Sequence, residues 1–315
     1  MNYVPLKGFE DVQDTLLSDQ LESNLVSWFQ WGLLQKGAFW TVGIPSSGTF
    51  GGNTHRLRSV TDPNYQQGQV WEAYRNDWCF ETGVGYQYRD PIRVSGVYVN
   101  GGFHPLNSTG TYAHRIDYRW GRVVFDSPIP ASSVVTAEYS HRLFHFAPAS
   151  APWWRQVQTN SYRVDSPAYL QGSGAYSILA QNRVQLPAVV VHVIPNSRRF
   201  GKEVGSRSNI VQQNVLFEIL TETKSDCDKL HDIIMAQQDQ TVMLYSRDQV
   251  LIDERFVLDA YGSPAPSGLM YPQLLDQYPW RKATVKQMIS TDQPVVVTHP
   301  LHAATVRCTI EIDLP

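Results

Sequence analysis

The chain has nine histidines, the first residues to ask about metal or proton chemistry. His141 and His145 lie four apart, and His299 and His302 lie three apart. A zinc protease needs two histidines one helical turn apart with a glutamate beside the first. Neither pair has that form. The first pair falls in or just after an expected strand, where a spacing of four does not make two rings converge. Cys79, Cys227 and Cys308 are too dispersed to complete a zinc site. Cys227 falls in the first turn of an expected helix, where a thiolate is favoured, but also on that helix's apolar stripe, so a small buried hydrophobe is its expected role. Ser46-Ser47 lacks a strand-to-helix elbow around it. Gly172-Ser173-Gly174 lacks the third glycine of a dinucleotide fingerprint and reads as a turn, and no phosphate loop ending in Gly-Lys-Ser/Thr is present. The carboxylates are mostly interleaved with basic neighbours, and no general acid–base pair stands out. The expectation is a non-catalytic protein with no cofactor and no bound metal.

Binding is the more open question. Ser197-Arg198-Arg199-Phe200-Gly201-Lys202-Glu203 runs on to Arg207 and Asn209 between two expected core strands, so it should project. Arg198, Arg199, Lys202 and Arg207 are therefore the candidate binding residues, for a subunit interface or for phosphates in a DNA channel. A solvated loop is the plainer alternative. Trp71, Tyr74, Trp78, Trp120, Trp153 and Trp154 are possible platforms for sugar rings, although core or interface packing is the more ordinary use of such residues.

The elements that must hold these residues follow from periodicity. Leu17, Leu21, Leu25 and Trp28 or Phe29 recur at three- and four-residue spacing, predicting a helix over about Val12–Lys36 that stops at Lys36-Gly37. Thr41–Gly68 is turn-rich and reads as a long exposed loop. Val70–Phe146 reads as strand after strand. One run ends at Asn100-Gly101-Gly102, and a hairpin pairs Arg115–Tyr118 with Arg122–Phe125 around Arg119-Trp120-Gly121. A further strand is expected over Val134–His141. Several short strands at close spacing predict a small sandwich or barrel. Val189–Ile194 reads as a strand buried on both faces, and Val215–Leu220 as a second strand. A helix follows with Cys227, Leu230, Ile233 and Ile234 on one face, capped by Ser225 with Asp228. Thr241–Tyr245 is a strand, and Val306, Cys308, Ile310 and Ile312 alternate strictly with polar residues in the last one.

The expected fold is α+β. Residues 1–68 form a helix and extended loop that pack on the last part of the chain, 69–150 an inserted β-rich module, and 151–315 the α+β unit. A length of 315 residues fits about two domains. Hydrophobic residues at 42% against 17% charged supply a core and exclude wholesale disorder. A net charge of -3 gives no bulk attraction to nucleic acid or an anionic membrane. The odd, sparse cysteines point to a reducing compartment rather than a disulfide framework. Met1–Glu10 lacks the pattern of a signal peptide, and no apolar run is long enough to span a membrane. Asn107-Ser108-Thr109 matches a glycosylation sequon and reads as a plain loop.

Three features in order resemble the tail-terminator fold of tailed-bacteriophage virion proteins. They are the leading helix ending Gly32-Leu33-Leu34-Gln35-Lys36-Gly37, the run from Leu186-Pro187 through both core strands and the capped helix, and the last strand ending Asp313-Leu314-Pro315. The middle of the chain is similar to a hairpin module of phage structural proteins and to neck proteins of cyanophages. The resemblance implies a small mixed sheet with flanking helices, carrying a β-sandwich- or barrel-like insertion. It implies a virion protein at the head–tail junction, assembled in the host cytoplasm as a homo-oligomeric ring, by expectation a hexamer. Its partners would be the tail tube, the sheath and a head-completion or adaptor protein near the portal, with phage DNA passing through and no membrane involved. A baseplate or fibre component with a carbohydrate-binding sandwich is the alternative.

Overall fold

The computed structural model describes residues 17–43, 56–73, 75–151, 154, 185–201, 209–291 and 301–314. They form a mixed α+β structure, rich in sheet, whose sheets curl into half-barrels. Helix α1 (Leu17–Gln35) leads into β1 (Phe39–Val42). A β-rich unit follows, made of β2 (Arg56–Ser59), β3 (Val70–Glu72), β4 (Gly96–Val99), β5 (Gly102–Pro105), β6 (His114–Asp117), β7 (Arg122–Phe125), β8 (Val135–Thr136) and β9 (Tyr139–Arg142). The chain then crosses to a second sheet through β10 (His145–Pro148), β11 (Ala188–Gly201) and β12 (Asn209–Thr221). It continues with α2 (Lys224–Met235), β13 (Thr241–Tyr245), α3 (Arg247–Ile252), α4 (Tyr271–Gln277), β14 (Pro279–Thr291) and β15 (His302–Leu314).

The β-rich unit is a seven-stranded sheet in the order β5-β4-β8-β2-β3-β7-β6, with β1 and β9 paired beside it. Leu57, Trp71, Trp78, Val97, Tyr118, Val123, Phe125 and Tyr139 fill its core. Asn100 and Gly101 both have positive φ, the backbone that a two-residue hairpin between β4 and β5 requires. The segment expected as one strand over Val134–His141 is two. β8 joins the seven-stranded sheet and β9 pairs with β1, because the chain changes sheets between them. The segment Thr41–Gly68 is also corrected. Thr41 and Val42 belong to β1, and Arg56–Ser59 is an interior strand with Leu57 only 1% exposed. That strand carries one leucine among Arg, Arg and Ser, too little apolar pattern to show. Residues 44–55 lie outside the described residues.

The second sheet has the order β10-β11-β12-β15-β14-β13, antiparallel except for the parallel pair β10–β11. Its inward residues alternate along each strand: Val189, Val191 and Val193; Val215, Phe217 and Ile219; Val306, Cys308, Ile310 and Ile312. Both α1 and α2 pack on that inward face, through Leu21, Leu25, Phe29 and Leu33 and through Cys227, Leu230 and Ile234. The cap of α2 is Thr223, whose hydroxyl accepts from the Asp226 backbone N–H at 3.1 Å and donates to its carboxylate. Ser225 and Asp228 therefore do not cap it. The helix starts two residues earlier than a Ser225 cap implies, and Thr223 is the better placed hydroxyl.

Curling brings the two edge strands of this sheet toward each other, and α1 bridges the gap. Asn24 pairs with the backbone of edge strand β13, accepting from Tyr245 N at 2.8 Å and donating to Tyr245 O at 3.0 Å. Gln30 donates to Phe146 O of the opposite edge strand β10 at 3.0 Å, and Glu22 accepts from Ala149 N at 2.8 Å. Asn24 and Gln30 thus satisfy backbone groups that an open sheet edge would leave free, while Glu22 shares the Ala149 N–H with Val191 O. The helix also has a second apolar side. Trp31 and Leu34 pack against Cys79 and Val84 of the β-rich unit. It ends in a Schellman turn, with Ala38 N bonded to Leu33 O and Gly37 N to Leu34 O, both at 2.9 Å. Gly37 has φ +81°, and a Cβ there would overlap the Tyr86 ring.

Asn24→Ala removes both edge contacts and strands a buried N–H and C=O. The variant is expected to lose about 2–4 kcal/mol, read from the urea midpoint with the slope unchanged. An unchanged midpoint would refute the bridging role of α1.

Candidate functional site

The four basic residues singled out by sequence do not assemble into a described site. Arg198 and Arg199 are exposed near the far end of β11, with Gln212 and Val211 as their partners on β12. Lys202 and Arg207 lie outside the described residues, as do Ser46, Ser47, Gly172–Gly174, His299, Tyr74 and Trp153. Trp71, Trp78 and Trp154 are 2%, 0% and 6% exposed, so they serve cores and cannot stack on a sugar. Trp120 is half-buried beneath the Arg122 guanidinium, 5.2 Å from its ring centre. Cys227 is buried in the core of the second sheet. Among the described residues no group of three His, Cys, Asp or Glu could hold a metal ion.

What does converge is a buried charge cluster where β9 hands the chain over to β10. Arg142, the last residue of β9, has its side chain 3% exposed. Its Nη1 donates to Asp77 Oδ1 at 2.7 Å and to Trp78 O at 3.2 Å, and its Nη2 pairs with Glu81. The guanidinium also lies 5.2 Å from the centre of the Phe80 ring. His145, the first residue of β10, donates from Nδ1 to Asp77 Oδ2 at 2.7 Å. Asp77 therefore ties both strands together. One step further, Asn76 N donates to Gln185 Oε1 at 2.7 Å, just before β11.

The electrostatics follow from burial and pairing. Burial alone would raise the Asp77 carboxyl, but Arg142 and His145 together outweigh it and hold it below the usual range. Glu81 stays above the usual range, because burial outweighs the attraction of Arg142. The guanidinium is pushed down by burial and up by both carboxylates, and the carboxylates win. These two acids converge, as a hydrolase pair would, but on an arginine that engages both. His141 next to them bonds through Nδ1 to Arg142 O, and burial brings its pKa down to about 4. His141 and His145 thus serve different partners and face no common ligand.

Beside the cluster lies a crevice of about 640 Å³ between α1, residues 82–93 and the strap that joins α3 to α4. Trp31, Pro264 and Met270 form apolar walls, and Thr82, Arg93 and Gln273 supply polar groups. The strap also clasps the open edge of β6. Tyr118 N donates to Gly262 O at 3.0 Å, Arg119 Nη2 to Ala260 O at 2.7 Å, and Ser263 Oγ to Ile116 O at 2.7 Å. Gly262 has φ +77°, and a Cβ there would strike the Asp117 carboxylate. Sequence reasoning missed this strap and the cluster alike. The cluster's partners are separated by more than 60 residues, Arg142 from Asp77 by 65 and from Glu81 by 61. No protein-family model matches the chain, and no curated protein does.

Arg142→Met leaves two buried carboxylates without their cation, and is expected to cost about 3–5 kcal/mol at neutral pH. The triple variant with Asp77→Asn and Glu81→Gln should recover part of that loss in urea denaturation. Equal losses in both would assign the effect to volume rather than charge.

His141 gives a pH signature. Its folded pKa of about 4 lies below the ordinary value of 6.5, so the unfolded chain takes the proton first as pH falls. The stability it contributes is complete above the ordinary value and is lost as pH falls toward about 4, up to roughly 3 kcal/mol. His141→Gln should flatten this slope. Glu81 and Glu22, raised by burial, act with the opposite sign in both proteins and cancel in the comparison. Parallel pH profiles of wild type and variant would contradict the assignment.

Proposed function

We propose that the chain is a structural virion protein of a tailed phage, a neck or tail-terminator subunit. Copies of it form a ring that caps the tail tube and joins it to the head. One observation carries the reading. A mixed sheet with α1 and α2 on a single face extends into the long β11–β12 pair, strands of 14 and 13 residues. The far end of that pair turns Arg198, Arg199 and Phe200 to solvent. A ring subunit needs such a reach toward its neighbour, and arginine and aromatic residues suit the contact. The slight net negative charge of -3 fits a channel through which DNA passes without being held.

On this reading the partners are further copies of the chain, the tail tube and sheath, and a head-completion or adaptor protein near the portal. The β-rich unit decorates the ring. The alternative, a baseplate or fibre module that binds carbohydrate, loses its best platforms to the cores, since Trp71, Trp78 and Trp154 are buried.

Light scattering on the purified chain, alone and with isolated tail tubes, tests the proposal. The expected result is a closed ring of about six copies, in solution or formed on the tube. A chain that stays monomeric and ignores the tube would overturn it.

A further inference from the structure

The charge cluster and the crevice meet at a smaller chamber. It has a volume of about 90 Å³ and shares Trp31, Val257 and Met270 with the crevice. Its walls carry five aromatic side chains, Trp31, Phe80, Tyr245, Phe256 and Tyr271, together with Glu81. Among the described residues that line it, Glu81 alone is charged.

Three features of the chamber call for a cation. The first is charge. Asp77 and Glu81 share the single Arg142 guanidinium, which does not line the chamber. Glu81 accepts from Arg142 Nη2 through Oε1 and from Phe80 N through Oε2 at 3.1 Å, so about half of a carboxylate's acceptor positions are unused. Burial holds this carboxyl above its usual range, a cost that a second cation would offset. The second feature is an orphan. Tyr271 Oη is buried without a hydrogen-bond partner, although a buried phenol normally has one. The third is the aromatic lining, since ring faces attract ammonium groups. The Tyr245 and Tyr271 rings stand at 74° with centroids 6.3 Å apart, as two adjoining walls of a box do.

Size selects among cations. A cavity of roughly 150 Å³ admits a benzene ring. At about 90 Å³ the chamber is too small for an aromatic head group but takes an ammonium and its first methylenes. We propose that the chamber binds a primary alkylammonium group, with Glu81 and Tyr271 accepting from its N–H groups and its alkyl chain leaving along Trp31 and Met270 into the crevice. Lysine side chains and free alkylamines share this chemistry. The site does not depend on the ring proposed above.

Calorimetric titration of the chain with n-butylammonium chloride at constant ionic strength tests the proposal. Saturable binding is expected, with butan-1-ol, the neutral analogue of the same length, bound about tenfold more weakly or worse. Tyr271→Phe removes a hydroxyl that bonds nothing in the free chain. The variant should melt at or above the wild-type temperature yet bind butylammonium roughly tenfold more weakly. Glu81→Gln, where circular dichroism shows it folded, should lose the binding. N-acetyl-lysine N-methylamide separates the two sources. Affinity equal to that of butylammonium assigns the site to a protein lysine, and binding of butylammonium alone assigns it to a free amine. No saturable heat with butylammonium, equal affinity for butan-1-ol, or wild-type affinity in Tyr271→Phe would overturn the proposal.

Discussion

The two-sided burial of α1 is the constraint on which the rest depends. Its Leu21–Leu25–Phe29–Leu33 side completes the core of the six-stranded sheet, and Trp31 with Leu34 holds the β-rich unit. A helix with one apolar stripe would serve one partner and turn its other side to water. Here Asn24 and Gln30 also stand in for neighbouring strands at the two sheet edges. The curl of the sheet, the closure of its edges and the seating of the second unit thus share one rigid element. Because α1 comes before the β-rich unit in the chain yet belongs to the core of the later sheet, both crossings between the units must be held. β1 leaves α1 through the Gly37 turn, and β10 returns beside β11.

The return crossing is where the chain accepts the cost of buried charge. A buried ion pair seldom adds stability over a well-packed apolar alternative, but breaking one is expensive. Asp77 bonds Arg142 on β9 and His145 on β10 at once, so the handover between sheets has one arrangement that pairs these charges and many that do not. Slippage of β10 by one residue would remove His145 from Asp77 and leave Asp77 only its Arg142 partner. The charges act as a register lock at a place where short strands offer little apolar pattern.

Much of the architecture could be read in the sequence wherever periodicity is unbroken. β15 alternates without a fault, α2 keeps its stripe, and the β6–β7 hairpin carries its turn in plain view. β14 was missed for a physical reason. A bulge between Val285 and Gln287 spaces its inward residues Ala283, Val285 and Met288 by two and then three, which destroys the alternation. The strap has no periodicity at all. Its order comes from backbone bonds to β6 and from Gly262, none of which leaves a pattern in composition. The charge cluster is invisible for another reason, since its members come from far-apart segments. The basic run through Arg198 and Arg199 was conspicuous because its charges are adjacent in sequence, and adjacency says nothing about what the fold brings to meet them.

A firm frame makes projecting loops useful. A side chain on a mobile loop loses much of its contact energy to ordering, whereas one on a fixed stalk has been ordered in the free subunit. Gly83 N and Gly85 N donate to the Asp90 carboxylate, and this staple, the Tyr86–Phe39 contact and the Gly37 turn form one continuous chain of contacts from the tip of the 83–90 loop into α1. The far end of β11–β12 is likewise continuous with the core through paired strands. Displacement at either projection is therefore resisted by the same helix that binds the two sheets. For the ring subunit proposed above, which would meet identical neighbours in identical geometry, that stiffness matters more than any single contact. A ring closes only if each rotation repeats the last.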